Sequence, residues 1–129
     1  MVELSAAMAE RVAAPPLAPV DQAIDLTHLT RMTLGEASLE REVLQLFDRQ
    51  AEMLLARMRH AAPCAVGAFA HTLKGSSRGI GAWRVASEAE TVELTAVGGD
   101  VTAVTAALDR LGAAVDEARL VIAELLRAH

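Results

Sequence analysis

One histidine lies among residues whose types and spacing suit the transfer of a phosphoryl group. Lys74 follows His71 by three positions and Gly75 follows it by four, and residues three and four apart share one side of an α-helix. The ammonium of Lys74 can therefore reach a phosphoryl group carried on the imidazole. The same ammonium disfavours a cation on the ring. The spacing thus predicts a neutral, phosphate-accepting nitrogen nucleophile rather than a general base or a metal ligand.

Small side chains surround this histidine on the helix that the sequence predicts from Pro63 to Ile80. Apolar residues form one face, at Val66, Phe69, Leu73 and Ile80. The opposite face carries Cys64, Gly67, Ala68, His71, Lys74, Gly75 and Arg78. A glycine inside a helix costs about 1 kcal/mol relative to alanine, and a solvated surface gains nothing from it. We therefore expect another macromolecule to approach His71 closely, over Gly67, Ala68 and Gly75.

A known family shares this motif. The signature of histidine-containing phosphotransfer (HPt) domains of multi-step phosphorelays resembles the run His71-Thr72-Leu73-Lys74-Gly75-Ser76-Ser77 and then Ile80-Gly81-Ala82. The resemblance extends to Ile24-Asp25 with Leu29, to Gly35-Glu36 and to Gly99-Asp100, and so covers residues 22–128. Two positions depart from the common pattern. Arg78 replaces a small residue and could add a charge contact to the phosphate or to an acidic receiver, and Gly79 stands where asparagine often occurs.

The resemblance implies a four-helix bundle whose exposed His71 carries phosphate between the aspartates of receiver domains. Lys74 would stabilise the phosphoryl oxygens, and Gly75 would leave room for the partner. The implied partners are response-regulator receiver domains and a hybrid histidine kinase. Because the receiver would supply Mg²⁺, the chain would need no metal or cofactor of its own. We expect a reversible phosphocarrier rather than an enzyme, since the sequence has no glycine-rich loop for ATP.

Two other functions stay open on the sequence alone. The chain could be a helical adaptor that binds receivers or kinases without transferring phosphate, although the complete set of His71, Lys74 and Gly75 argues against this. It could also be a fragment of the dimerising phosphoacceptor domain of histidine kinases. In that domain an acidic residue usually follows the histidine and a proline comes soon after. Thr72 follows His71 here, and no proline follows it, so we expect a monomer.

A second apolar stripe lies on the helix that precedes the histidine helix. Leu39, Leu46 and Met53 are seven residues apart, to one side of the core positions and beside Arg49 and Arg57. The stripe is either the edge of the bundle core or an apolar patch on which a receiver docks, as the family uses. We include Leu46, Met53 and Arg78 with the small residues around His71 as candidate docking residues.

The helices that must position these residues can be traced from apolar periodicity and capping residues. Leu4, Met8 and Val12 predict a weak amphipathic helix over residues 3–14, which a linker with Pro15, Pro16 and Pro19 follows. Asp25 predicts the start of a short helix over Leu26–Met32, and Ser38 the start of a long helix that ends near residue 60. Its core candidates are Val43, Leu44, Phe47, Ala51, Leu54 and Met58.

The second half of the chain predicts three further helices. Pro63 begins the histidine helix, a helix over residues 82–97 ends at Gly98-Gly99, and Asp100 caps a last helix that runs to about residue 127. That helix carries a stripe with alternating spacings of three and four: Val101, Val104, Leu108, Leu111, Val115, Ala118, Ile122 and Leu125. We predict an all-α, antiparallel four-helix bundle over residues 21–129, preceded by an extension over residues 1–20.

Composition supports this fold and excludes several functions. The 129 residues are 53% hydrophobic but only 2% aromatic, and alanine favours helices. A net charge of −5 without a basic stretch excludes typical duplex nucleic-acid binding. No apolar run reaches the roughly 18 residues that span a bilayer, and Glu3 and Glu10 replace the basic start of an export signal. With Cys64 as its single cysteine, the chain suits a reducing compartment, and we expect it in the cytoplasm.

Overall fold

The computed structural model describes residues 22–128, which fold into five helices. They are α1 (Leu26–Met32), α2 (Ala37–His60), α3 (Pro63–Ile80), α4 (Trp83–Gly98) and α5 (Val101–Ala128). The four long helices follow one another through loops of two residues, so neighbours run antiparallel. They form a closed ring in which α2 packs on α3, α3 on α4, α4 on α5 and α5 back on α2, while α1 packs on α3. The predicted all-α four-helix bundle with an additional short N-terminal helix is confirmed.

Local residue chemistry sets most of the helix ends. The Asp25 carboxylate accepts the backbone N–H of His28 at 3.1 Å, and that of Asp100 accepts the N–H of Thr102 at 3.0 Å. Each carboxylate thus satisfies a free donor in the first turn of its helix. α3 begins at Pro63, as predicted. α3 and α4 end at Gly81 and Gly99, whose φ angles of 80° and 73° are left-handed and favour glycine.

The predicted start of α2 was wrong. Ser38 lies inside the first turn, and Glu36 occupies the cap position without a side-chain hydrogen bond. The Glu36 carbonyl already accepts the N–H of Glu40 at 2.9 Å. The helix therefore starts before Ser38: after the turn with Gly35 at φ 74°, the backbone is still extended at Glu36, and it becomes helical at Ala37. α4 begins and ends one residue later than predicted.

The core lies between the four long helices and is built largely from alanine and aliphatic side chains. Five of the six core candidates on α2 are buried, and Val43 is only partly buried. Phe69 on α3 and Leu125 on α5 also lie at the core edge. Val101 was wrongly included in the core stripe of α5. It is 64% exposed, because α5 begins there at the end of the bundle.

The segment that enters the bundle fixes the C-terminal end of α3. The backbone N–H of Asp25 donates to the Gly81 carbonyl at 2.9 Å, and the Trp83 indole donates to the Asp25 carboxylate at 2.9 Å. The His28 ring packs on Trp83 and donates to the Arg78 carbonyl at 2.9 Å. Hydrogen bonds from Trp83 and the His28 backbone hold the pKa of Asp25 below its usual range.

The predicted helix over residues 3–14 and the proline linker lie outside the described residues. The boundary between extension and bundle, placed after residue 20, therefore stays a prediction.

Candidate functional site

Three side chains from α3 and α4 meet at the predicted phosphoacceptor. His71 extends from the outer face of α3, with 68% of its side chain exposed. Its Nδ1 atom lies 2.9 Å from Oε2 of Glu93 on α4, and the Nζ atom of Lys74 lies 2.7 Å from Oε1 of the same carboxylate. Glu93 thus bridges the two residues that the sequence pattern selected.

The hydrogen bond to Glu93 determines which nitrogen of the His71 ring carries the proton. An ionised carboxylate only accepts hydrogen bonds, so the Nδ1 atom of His71 carries the proton that it donates to Glu93. In the neutral ring this leaves the lone pair on Nε2. The ammonium of Lys74, and then the N–H of His71, hold the pKa of Glu93 below its usual range. The carboxylate therefore stays ionised near neutral pH.

Lys74 is less accessible than its place on the outer helix face predicted. Only 14% of its side chain is exposed, and its ammonium is paired with Glu93. Lys74 lies on the α4 side of His71, where its ammonium reaches Glu93 on α4. An ammonium in this position can contact a phosphoryl group only if it loosens or shares its bond to Glu93.

The glycines around His71 fall into two kinds. A Cβ atom built on Gly75 or on Gly79 would meet no atom of residues 22–128 within 4 Å. The packing described here therefore does not require glycine at either position, and Gly75 and the neighbouring Ala68 leave exposed space beside His71. Gly67 differs, since its Cβ would lie 4.0 Å from the Cβ of Ala96. That distance is an ordinary van der Waals contact, so the packing of α3 on α4 would also accommodate an alanine at this position.

Two of the remaining docking candidates, Leu46 and Met53, lie on α2, on the side of His71 away from α4. Arg41, Asp48 and Arg59 of α2 all face α5, through contacts with Leu126, Arg119 and Asp109. Leu46 and Met53 lie on the opposite side of α2, nearest α3, and are 58% and 44% exposed. Arg78 is exposed two turns beyond His71, with no carboxylate partner among the described residues. These candidates can therefore form one surface with Gly75.

An apolar groove flanks His71 on the α4 side. It has a volume of about 870 Å³ and runs between the start of α3 and the end of α4. His71 and Glu93 lie at one end of it, while Cys64, Ala96 and Val97 line its length. His71 therefore separates two surfaces, one toward α2 and one toward α4.

The comparison with known families agrees with this geometry. The family model described as Hpt domain matches residues 42–121, well over half of the chain. The chain belongs to the Hpt domain family. Hpt domains take part in histidine phosphotransfer in phosphorelays, where they interact with receiver domains and kinases, and they carry the phosphoryl group rather than act as classical enzymes. A search of curated proteins and a search of solved structures each found no match.

The matched span of the Hpt domain contains every residue of the candidate site. It includes Leu46 and Met53 on α2, the His71 segment on α3 and Glu93 on α4, whereas α1 lies before it.

Within residues 22–128 no group of three or more His, Cys, Asp or Glu side chains could hold a metal ion. None of the described helices is both long and apolar enough to cross a membrane.

Glu93 is the site residue that the sequence analysis missed. It lies 22 positions after His71 on a different helix, and no spacing rule connects the two. The sequence gives one weak signal, since Glu93 falls between two small residues of its helix, Ala89 and Ala96. In the structure both alanines are buried. A carboxylate beside two small buried residues is placed close to a neighbouring helix.

Proposed function

We propose that this Hpt domain accepts a phosphoryl group from a receiver-domain aspartate onto Nε2 of His71 and passes it to a second receiver. One observation carries the proposal: Glu93 accepts the Nδ1 proton of an exposed imidazole in a hydrogen bond, which leaves the lone pair on Nε2. The engagement of Nδ1 with Glu93 supports this choice of nitrogen.

The transfer step balances without a cofactor in this chain. The Nε2 lone pair attacks phosphorus in line with the aspartyl oxygen, an N–P bond forms, and the P–O bond to the receiver breaks as its carboxylate leaves. The ring becomes cationic and keeps the proton on Nδ1, from which it donates to Glu93, and the negative charge of Glu93 stabilises the cationic ring. The reverse attack by a second aspartate returns the ring to its neutral state. Mg²⁺ is expected on the receiver.

Lys74 and the small residues complete the proposed mechanism. As phosphate arrives on His71, the ammonium of Lys74 shares its bond to Glu93 with a phosphoryl oxygen and offsets the added negative charge. Gly67, Ala68 and Gly75 let the receiver approach, while Leu46, Met53 and Arg78 bind it. We place the reaction in the cytoplasm, where a reducing environment keeps Cys64 a free thiol.

A labelling experiment tests the proposal. The chain is incubated with a receiver that carries radiolabelled aspartyl phosphate, and we expect acid-labile, base-stable label on the wild type but none on His71→Gln. His60→Gln is the matched control, because His60 is also an exposed histidine on a helix, at the end of α2. Label that persists on His71→Gln contradicts the assignment of the phosphoacceptor.

The same experiment separates the alternatives. A chain that binds receivers but takes no label from any of them is an adaptor. A dimerising kinase fragment needs helices from two chains, whereas here one chain closes the four-helix ring by itself. We therefore expect one chain per particle in light scattering, and a stable dimer would favour the kinase fragment.

A further inference from the structure

Three exposed arginines of α2 and α3 have no partner within residues 22–128. Arg49 and Arg57 lie on α2 and Arg78 on α3, and none of their guanidinium groups forms a hydrogen bond or an ion pair with a described residue. Arg119 on α5, by contrast, is held by Asp48 at 2.8 Å. A guanidinium that no carboxylate compensates keeps its charge and its full set of N–H donors available to another molecule.

The two arginines of α2 flank the apolar residues beside His71. Residues three or four apart share one side of a helix, so Leu46, Arg49, Met53 and Arg57 form a single stripe. Because a two-residue loop joins the antiparallel helices α2 and α3, residues equally far from that loop lie at the same height, which places Met53 beside His71. Arg49 and Arg57 are each one turn, about 6 Å, from Met53 along the helix axis. The apolar residues of the proposed docking surface thus have a cation on either side.

Among the described residues, no carboxylate neutralises this surface. α3 contains no acidic residue. Asp48 and Glu52, the acidic residues within the stretch of α2 that carries the stripe, both contact Arg119 on the α5 side. The exposed carboxylate of Glu42 lies one turn before the stripe begins. A chain with a net charge of −5 therefore presents a positively charged face beside its phosphoacceptor, and such charges act over about 8 Å at physiological salt.

A receiver domain has the complementary charge. The proposed transfer uses Mg²⁺ on the receiver, and proteins bind Mg²⁺ next to a phosphoryl group through carboxylates. The aspartyl phosphate and these carboxylates together carry more negative charge than the Mg²⁺ neutralises. A guanidinium pairs with a carboxylate or a phosphate through two parallel hydrogen bonds. The receiver surface that meets His71 is therefore one that free arginines recognise.

We propose that Arg49, Arg57 and Arg78 determine which receivers the chain binds, by steering those with an acidic surface around their phosphoaspartate onto His71. Complementary charge speeds the encounter and disfavours partners of like charge, while Leu46 and Met53 supply the apolar contact. That the partner is a receiver rests on the proposed function, whereas the free charge of the three arginines does not.

The salt dependence of receiver binding tests the proposal. Surface plasmon resonance gives the association rate of the chain with an immobilised receiver domain whose surface around the phosphoaspartate is acidic. The chain with Arg49→Glu and Arg57→Glu should associate about tenfold more slowly than the wild type at low ionic strength, and Arg78→Glu should slow it further. Salt at about 0.5 M should slow the wild type by a similar factor and leave the variant nearly unchanged, because screening removes the same attraction.

The matched control makes the same change of charge on α5, which lies across the ring from α3. Arg110→Glu with Arg127→Glu alters two exposed arginines and gives the same net charge as the α2 variant. We expect its association rate to stay within about twofold of the wild type. An equal loss of rate in the two double variants would mean that only net charge matters and would overturn the proposal. A wild-type rate that does not change with salt also overturns it.

Two receivers of opposite surface charge separate this inference from the proposed function. The wild type should accept phosphoryl from the acidic receiver about tenfold faster than from a basic one, and the α2 double variant should lose this preference. Binding that depends on Arg49 and Arg57 without label on His71 would support the basic surface and reject the transfer. Label on His71 at equal rates in the wild type and the variant would support the transfer and overturn the role of the arginines. A chain that no receiver binds overturns both.

Discussion

At the scale of single residues, the site depends on how one carboxylate is shared. Glu93 accepts hydrogen bonds from the imidazole of His71 and from the ammonium of Lys74, at 2.9 and 2.7 Å. The first bond orients the ring and keeps its proton on Nδ1. The second keeps Lys74 beside the ring before any phosphate is present, so less ordering is needed when the phosphoryl group arrives.

We expect Glu93→Gln to slow phosphoryl acceptance by about tenfold, since a charge-assisted hydrogen bond to the ring is replaced by a neutral one. The amide also fails to stabilise the cationic ring. The rate of label transfer from a phosphorylated receiver measures the loss, and ¹⁵N NMR of the ring should show a shift of the proton toward Nε2. Glu90→Gln, an exposed carboxylate one turn earlier on α4, is the control. An unchanged rate and an unchanged tautomer would show that Glu93 does not position the ring.

At the scale of the helices, a glycine inside α3 lowers the stability of the bundle and leaves room for a partner beside His71. Gly75 is exposed and an added Cβ would meet no atom of the described residues within 4 Å. Gly75→Ala should therefore stabilise the bundle by up to about 1 kcal/mol, which raises Tm by several degrees. In the proposed mechanism the same methyl group lies where the receiver approaches, so phosphoryl acceptance should become slower.

Gly79→Ala provides the comparison, because that position is equally open but lies two turns from His71. We expect a similar gain in Tm with a smaller loss of rate. Thermal melts and label transfer on both variants test this pair. A Gly75→Ala chain that is stabilised and transfers at the normal rate would exclude close approach of the partner at this residue.

The outer side of α2 carries the second prediction at this scale. Leu46 and Met53 are half exposed on the side nearest α3, so their truncation removes little buried area. We expect Leu46→Ala with Met53→Ala to weaken receiver binding about tenfold while unfolding stability falls by less than about 1 kcal/mol. Calorimetric titration with a receiver and thermal melts measure the two effects. Leu120→Ala, an exposed leucine on α5, should change neither, and a large fall in Tm for the double variant would assign the stripe to the core.

At the scale of the whole molecule, two carboxylates make the stability of the bundle depend on pH. The pKa values of Asp25 and Glu93 are both lowered in the folded chain, by hydrogen bonds chiefly from Trp83 and from Lys74. A carboxyl whose pKa is lower in the folded state stabilises the fold above its unfolded pKa, and this stability is lost as the pH falls through the folded pKa. One of these groups joins α1 to the start of α4, and the other joins α3 to α4.

We therefore expect Tm to be nearly constant from pH 7 to about pH 5 and to fall steadily from there to about pH 3. Asp25→Asn should be less stable than the wild type near neutral pH and should lose less on acidification, because its side chain does not titrate. Thermal melts across this range measure both curves. Parallel curves for the two chains would mean that Asp25 does not contribute to acid unfolding.

Much of the fold was accessible from the sequence because helix formation depends on neighbours along the chain. Asp25, Pro63 and Asp100 mark helix starts through their own backbone and carboxylate chemistry, and the bounds of α1 and α3 were predicted correctly. The periodicity of small apolar residues indicated a bundle for the same reason. Ser38 shows the limit of such rules, since the turn before α2 fixed the start of that helix.

The sequence alone thus determined the all-α bundle and the outer position of His71, because both follow from spacing within one helix. Only the tertiary structure decided what touches that histidine. The pairing of Glu93 with His71 and Lys74 depends on how far α4 is shifted and rotated against α3. Gly67 lies where the two helices meet, opposite Ala96 and the backbone of Glu93. Contacts between helices depend on this three-dimensional fit, which no spacing within a single helix records.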